Sequence, residues 1–148
     1  MPFDQFDRSR LRLRPLAQRV HDVDRSVMIF PGGPRQPFSH PAIPRLAESV
    51  VTAARADRTV MFCCGAHVLR TGNGPLLIDL MERRLLTHVA LNGAGAIHDF
   101  ELALIGRTCE SVARYVRTGE FGLWQETGRI NDAAAAAARA GIDRKSVV

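Results

Sequence analysis

The turn Asn92-Gly93-Ala94-Gly95 is followed at once by three ionisable residues, His98, Asp99 and Glu101. A glycine turn ahead of a helix offers free backbone N–H groups and the positive end of the helix dipole, which together favour an anion such as a cofactor pyrophosphate. The full dinucleotide fingerprint G-x-G-x-x-G needs a glycine where this chain has His98, and a tight strand-to-helix turn calls for glycine on its own account. His98 suits a base, a ribose contact or a satisfied structural histidine. Asp99 suits a helix cap or a dipole partner, and Glu101 suits a ribose hydroxyl. The clustering of all three beside one turn favours function. A second polar loop, 65–74, carries His67, Arg70, Thr71 and Asn73. Arg70 suits a phosphate, whereas Thr71 and Asn73 suit hydrogen bonds to a ribose or amide. His88 reads as a packed histidine. Trp124 suits either stacking on a ring or anchoring the late loop.

These residues need elements to position them. The apolar run Val60-Met61-Phe62-Cys63-Cys64 ends in Gly65 and predicts a strand over 59–64 that is buried on both faces, as in a parallel sheet. Leu76, Leu77, Leu80 and Met81 predict a helix over 75–84 with Pro75 in its first turn. A second strand is predicted over 87–91, then a glycine turn over 92–95 and a helix over 97–105 stopped by Gly106. The result is a β-α-β unit over 59–105 whose loops lie at the carboxyl ends of the strands, where parallel sheets collect ligands. Residues 42–57 read as a preceding helix with Leu46, Val50, Ala53 and Ala54 on its inner face. A helix over 108–118 is expected to pack through Val112, Ala113 and Val116, and an Ala-rich helix over 125–140 to close the chain. Residues 1–41 read as an N-terminal arm wrapping the core, with Arg10, Arg12 and Arg14 alternating with Leu11 and Leu13 as in an edge strand or subunit contact.

The totals narrow the class. The chain has 148 residues, 46% of them hydrophobic and 24% charged, which suits one globular domain and argues against disorder. No apolar run approaches the roughly 20 residues of a membrane span, and Met1 to Arg14 has no signal-peptide core, so the expected location is cytoplasmic. Cys63, Cys64 and Cys109 form neither a disulfide framework nor a zinc spacing. The net charge of +5 draws on Arg8, Arg10, Arg12, Arg14 and Arg19, but no aromatic residues interleave with them, which disfavours nucleic acid. The last six residues, Asp143-Arg144-Lys145-Ser146-Val147-Val148, match what a common sequencing adapter encodes in one frame. They are read as a non-native tail on an α/β domain over 42–142 that is itself incomplete.

The stretch Gly65-Ala66-His67-Val68-Leu69-Arg70-Thr71-Gly72, leading through a helix to Thr87-His88-Val89-Ala90-Leu91-Asn92-Gly93-Ala94-Gly95-Ala96-Ile97-His98-Asp99, resembles the deoxyhypusine synthase family, most closely its bacterial deoxyhypusine-synthase-like branch. The resemblance covers less than a third of the chain. It implies a Rossmann-like parallel sheet with flanking helices that binds NAD, a homotetramer, and transfer of an aminobutyl group from spermidine to a lysine or amine acceptor. By position, Thr71 falls at a serine of the family's first NAD loop, Ala94 and Gly95 on the Ala-Gly of its second, and His98 and Asp99 on its acidic pair. With Asn92 and Gly93, which replace the family's Thr-Thr, these are the cofactor-binding candidates. The first acid is here His98, and the loop's Ser-Asn is His67-Val68. The family's nucleophilic lysine and most of its amine-binding acids lie in a C-terminal half with no counterpart here, and the one lysine, Lys145, sits in the suspect tail. The alternative is a Rossmann-like protein that binds a nucleotide or phosphosugar without hydride chemistry.

Overall fold

A computed structural model describes residues 7–34 and 37–141; the tail over 143–148 lies outside them. In chain order the main elements are β1 (His21–Asp24), α1 (Ala42–Arg55), β2 (Met61–Cys64), α2 (Ala66–Arg70), α3 (Gly74–Glu82), β3 (His88–Leu91), α4 (Gly93–Ile105), β4 (Arg107–Glu110), α5 (Val112–Thr118) and α6 (Arg129–Arg139). The chain is thus mixed α/β. Its strands form two pairs: β2 runs parallel to β3, with Met61 opposite His88 and Cys64 opposite Leu91, and β1 runs antiparallel to β4.

The β-α-β unit has the predicted order, with two corrections at its loops. Loop 65–74 contains the short helix α2, which starts after extended Gly65. The turn 92–95 is not a loop either. Asn92 is the N-cap of α4, extended at φ −79° and ψ 164°, and its Oδ1 accepts from the Gly95 N–H at 2.8 Å, so Gly93, Ala94 and Gly95 form the first helical turn. At the other end Gly106 adopts φ +68°, and its N–H closes on the Leu102 carbonyl. A side chain at Gly106 would push aside the flexible Arg25 guanidinium, and the left-handed conformation is what favours glycine there.

The expectation that β2 is buried on both faces does not hold: Met61 is 59% exposed and Cys63 is exposed. The other face packs Phe62 against a core of Leu69, Leu77 and Leu86. A second core, Leu16, Tyr115 and Trp124 with Ile105 against them, joins the N-terminal segment to the late loop. There the Arg14 amide bonds to the Leu123 carbonyl and the Gln125 amide to the Arg14 carbonyl. The centre of the assembly is α4, which packs against α2, β3, β4 and α6.

Two readings are corrected on either side of it. Residues 108–118 are not one helix. Residues 107–110 form β4, whose partner β1 holds Val23 opposite Thr108, and α5 begins only at Val112. Val112 and Val116 are 58% and 59% exposed, and Tyr115 is the buried residue of α5. On α1, Leu46 is 64% exposed, while Val50, Ala53 and Ala54 are half-buried. No helix among the described residues is long and apolar enough to cross a membrane.

Candidate functional site

The Arg19 guanidinium and the Glu101 carboxylate form a buried ion pair, 2% and 1% exposed. Arg19 Nη1 donates to Oε1 at 2.8 Å and Nη2 donates to Oε2. Two hydroxyls complete the carboxylate: Thr127 Oγ1 donates to Oε1 at 2.8 Å and Thr108 Oγ1 to Oε2 at 2.7 Å. Burial alone would raise the Glu101 pKa, but these hydrogen bonds and the Arg19 charge outweigh it and hold the group below the ordinary carboxylate range. Glu101 therefore spends its acceptor capacity inside the protein, and the ribose-hydroxyl reading for it is set aside. Arg19 also stacks on Trp124, with its guanidinium carbon 5.5 Å from the ring centroid, and donates to His21 Nδ1 at 3.2 to 3.3 Å.

This cluster forms one wall of a cavity of about 420 Å³, within the usual range of small-molecule sites. Ala94, Ile97 and His98 of α4 line a second wall, and Cys109, Glu110, Val112, Phe121 and Trp124 a third. Arg70, exposed at the end of α2, completes the lining. Among the described residues Arg70 makes no ion pair.

A kink in β4 builds part of this lining. Neighbours in a regular strand point to opposite faces, yet Cys109 and Glu110 line the same cavity. Cys109 makes this happen by adopting φ +61°, a left-handed conformation that costs a non-glycine residue about 1–3 kcal/mol. The redirected Glu110 carboxylate accepts from Trp124 Nε1 at 2.7 Å and from the Gly122 amide. Trp124 is 2% exposed and meets Tyr115 edge to face, so of its two expected roles it fills the anchoring one.

The seven cofactor candidates separate. Ala94 and His98 line the cavity. Asn92, Gly93 and Gly95 build the α4 N-terminus just above it, with Gly95 buried and Gly93 open. Asp99 lies one residue round the helix and lines a different groove, with Arg25, Met28 and Ile78. Thr71 donates to the His67 carbonyl at 2.6 Å and accepts from Asn73 Nδ2 at 3.0 Å, which closes the end of α2. Of the loop residues around it, only Arg70 reaches the cavity. Sequence reading missed Thr108 and Thr127 and assigned Arg19 only to a basic arm. Thr108 lies in a short polar strand and Thr127 in the turn before α6, so neither carries an apolar signal, and 82 residues separate Arg19 from its partner.

No family model, curated protein or solved structure matches this chain.

Proposed function

We propose that this chain forms part of an NAD-dependent transferase of the deoxyhypusine synthase type, which moves an aminobutyl group from spermidine to a lysine or amine acceptor. In this reading the parallel pair belongs to a Rossmann-like sheet and the cavity beside α4 takes one end of the dinucleotide. One observation carries the reading. Beyond the carboxyl ends of β2 and β3, the start of α4, His98 and the unpaired Arg70 converge on a single cavity.

The residues present fit such a group. The Gly93 and Ala94 amides are first-turn donors with no partner inside the helix, and Gly93 has nothing within 4 Å of the place a Cβ would take. They and Arg70 would hold a phosphate, and His98 would meet a ribose hydroxyl. The bound dinucleotide would supply hydride acceptance from the amine. Exposed Leu46, Met61, Val112 and Val116 support burial against further subunits, in line with a homotetramer.

The second reading, a nucleotide- or phosphosugar-binding protein without hydride chemistry, is favoured by Arg70 alone, since a single arginine at the cavity asks only for a phosphate. Trp124, the one tryptophan of the chain, lines the cavity and reports both cases by fluorescence. Saturable quenching by NAD and a weaker response to a sugar phosphate support the transferase reading. A response to sugar phosphate without one to NAD supports the second.

A further inference from the structure

We infer that His98 presents its Nε2 to the cavity as a proton acceptor for an N–H or O–H group of the bound molecule, held in that state by Thr108, Glu101 and Arg19. The inference concerns the histidine alone and holds whether the occupant is NAD or a sugar phosphate.

One hydrogen decides the tautomer. Thr108 is wholly buried, and its hydroxyl has a single hydrogen to give. Two acceptors lie in reach: Glu101 Oε2 at 2.7 Å and His98 Nδ1 at 2.8 Å. Glu101 is ionised by its pairing with Arg19 and has no hydrogen of its own, so the Thr108 hydrogen goes to it. Towards His98 the Thr108 oxygen can then only accept, and the hydrogen of that bond belongs to Nδ1. In a neutral imidazole the lone pair is left on Nε2. A carboxylate orients a histidine in the same way in hydrolase triads, but here a threonine hydroxyl stands between the two.

The same bond settles the role of Cys109. Its Sγ lies 3.8 Å from His98 Nδ1, an arrangement that looks like a nucleophile and its base. With the hydrogen on Nδ1, that nitrogen has no lone pair for a thiol proton. Burial also pushes the Cys109 thiol up, away from the thiolate. Cys109 is therefore lining, and the acceptor of the cavity is the opposite nitrogen of the ring.

The charged and titratable groups around His98 come from every neighbouring element: Glu101 on α4, Arg70 and His67 on α2, Arg19 before β1, and Cys109 on β4. Burial is the largest influence and lowers the His98 pKa. The Glu101 charge opposes it, and the Arg70, Arg19 and His67 charges add to it. The ring is thus neutral, with its acceptor available, at neutral pH.

The test needs no cofactor, so its failure is separate from failure of NAD binding. Long-range ¹H–¹⁵N correlations on the full chain identify which ring nitrogen of each histidine carries hydrogen, with His98 assigned through His98→Asn, whose amide keeps a donor near Thr108. Diethyl pyrocarbonate, followed by peptide mass mapping, then reports whether Nε2 is reachable, with exposed His40 as the positive control. The expected result is an Nδ1–H tautomer at His98, modification of His98, and a reaction midpoint below the ordinary histidine value of 6.5. Thr108→Val removes the bond and shifts the tautomer ratio roughly fivefold towards Nε2–H, while Thr108→Ser keeps the wild-type ratio. An Nε2–H tautomer in the wild-type protein, or a His98 that stays unmodified while His40 reacts, overturns the inference, and the second result depends on no variant folding.

Discussion

The Arg19 guanidinium and the Glu101 carboxylate meet fork to fork at the centre of the fold, with both side chains almost fully buried. The pair ties the N-terminal segment to α4, and through Thr108 and Thr127 it reaches β4 and the loop before α6. A buried pair of this kind is not by itself a large source of stability, because removing two charges from water costs nearly as much as their attraction returns. Leaving one partner alone is costly, and that asymmetry gives the first prediction.

Glu101→Ala strands the Arg19 charge and is expected to lower folding stability by about 3–5 kcal/mol. Replacing both residues together, Arg19→Met with Glu101→Leu, is expected to cost clearly less. Denaturant midpoints of the three proteins check this. A double variant less stable than Glu101→Ala would contradict it.

Gly72 and Gly122 both have positive φ, +87° and +74°, but their surroundings differ. A Cβ on Gly72 would fall 1.9 Å from the Val27 carbonyl oxygen, where the N-terminal segment crosses the loop, whereas one on Gly122 meets nothing within 4 Å. Gly122→Ala is expected to cost about 1 kcal/mol from conformation alone, and Gly72→Ala considerably more, since backbone must move. Melting curves of the two alanine variants rank them directly.

Acid should weaken the fold in two stages. Burial lowers His98 below 6.5; burial, followed by the Arg19 charge, does the same for His21. As pH falls below 6.5 the unfolded chain takes up these protons before the folded one does, so the unfolded state binds more protons and stability drops. Glu101 acts in the same direction at lower pH. Its contribution is complete above 4.5 and is lost as pH falls through the depressed folded-state value. Denaturant midpoints should therefore decrease between about pH 7 and about pH 5, then decrease again in stronger acid. His98→Asn combined with His21→Asn should flatten the first stage only.

Trp124, at 2% exposure beneath Arg19, should emit as a buried indole and resist acrylamide quenching. Glu110→Gln weakens the charge-assisted bond to Nε1 and is expected to shift the emission to the red without unfolding the chain. An unchanged spectrum would mean that the Glu110 contact does not fix the ring.

The β-α-β unit was legible because its strands and helices are written in apolar side chains. Val60 to Cys64 and Leu76 to Met81 carry the periodicities that distinguish strand from helix. The start of α4 was misplaced by four residues, because Gly93 and Gly95 read as a loop and the capping role of Asn92 lies in a side-chain bond. β1 and β4, His-Asp-Val-Asp and Arg-Thr-Cys-Glu, were illegible for a different reason. Their key buried residue, Thr108, is paid for by hydrogen bonds and not by apolar contact, so no hydrophobic pattern marks it. The site followed the same division. Ala94 and His98, named from the turn, and Arg70, named from the 65–74 loop, line one cavity, while Arg19, Thr108 and Thr127 come together only through long-range pairing. In α5, Val112 and Val116 suggested a packed face, and the chain buries Tyr115 instead, bonding its hydroxyl to the Val20 amide.

In the proposed function the cavity lined by Arg70, Ala94 and His98 would take part of NAD. The most direct measurement is a titration of Trp124 fluorescence with NAD, run on the wild-type protein and on Arg70→Ala. Saturable quenching is expected for the wild type, with binding weakened about tenfold or more in the variant from loss of a charge-assisted contact to phosphate. No NAD-dependent change in the wild-type protein, with a stable fold verified in the same samples, would contradict it.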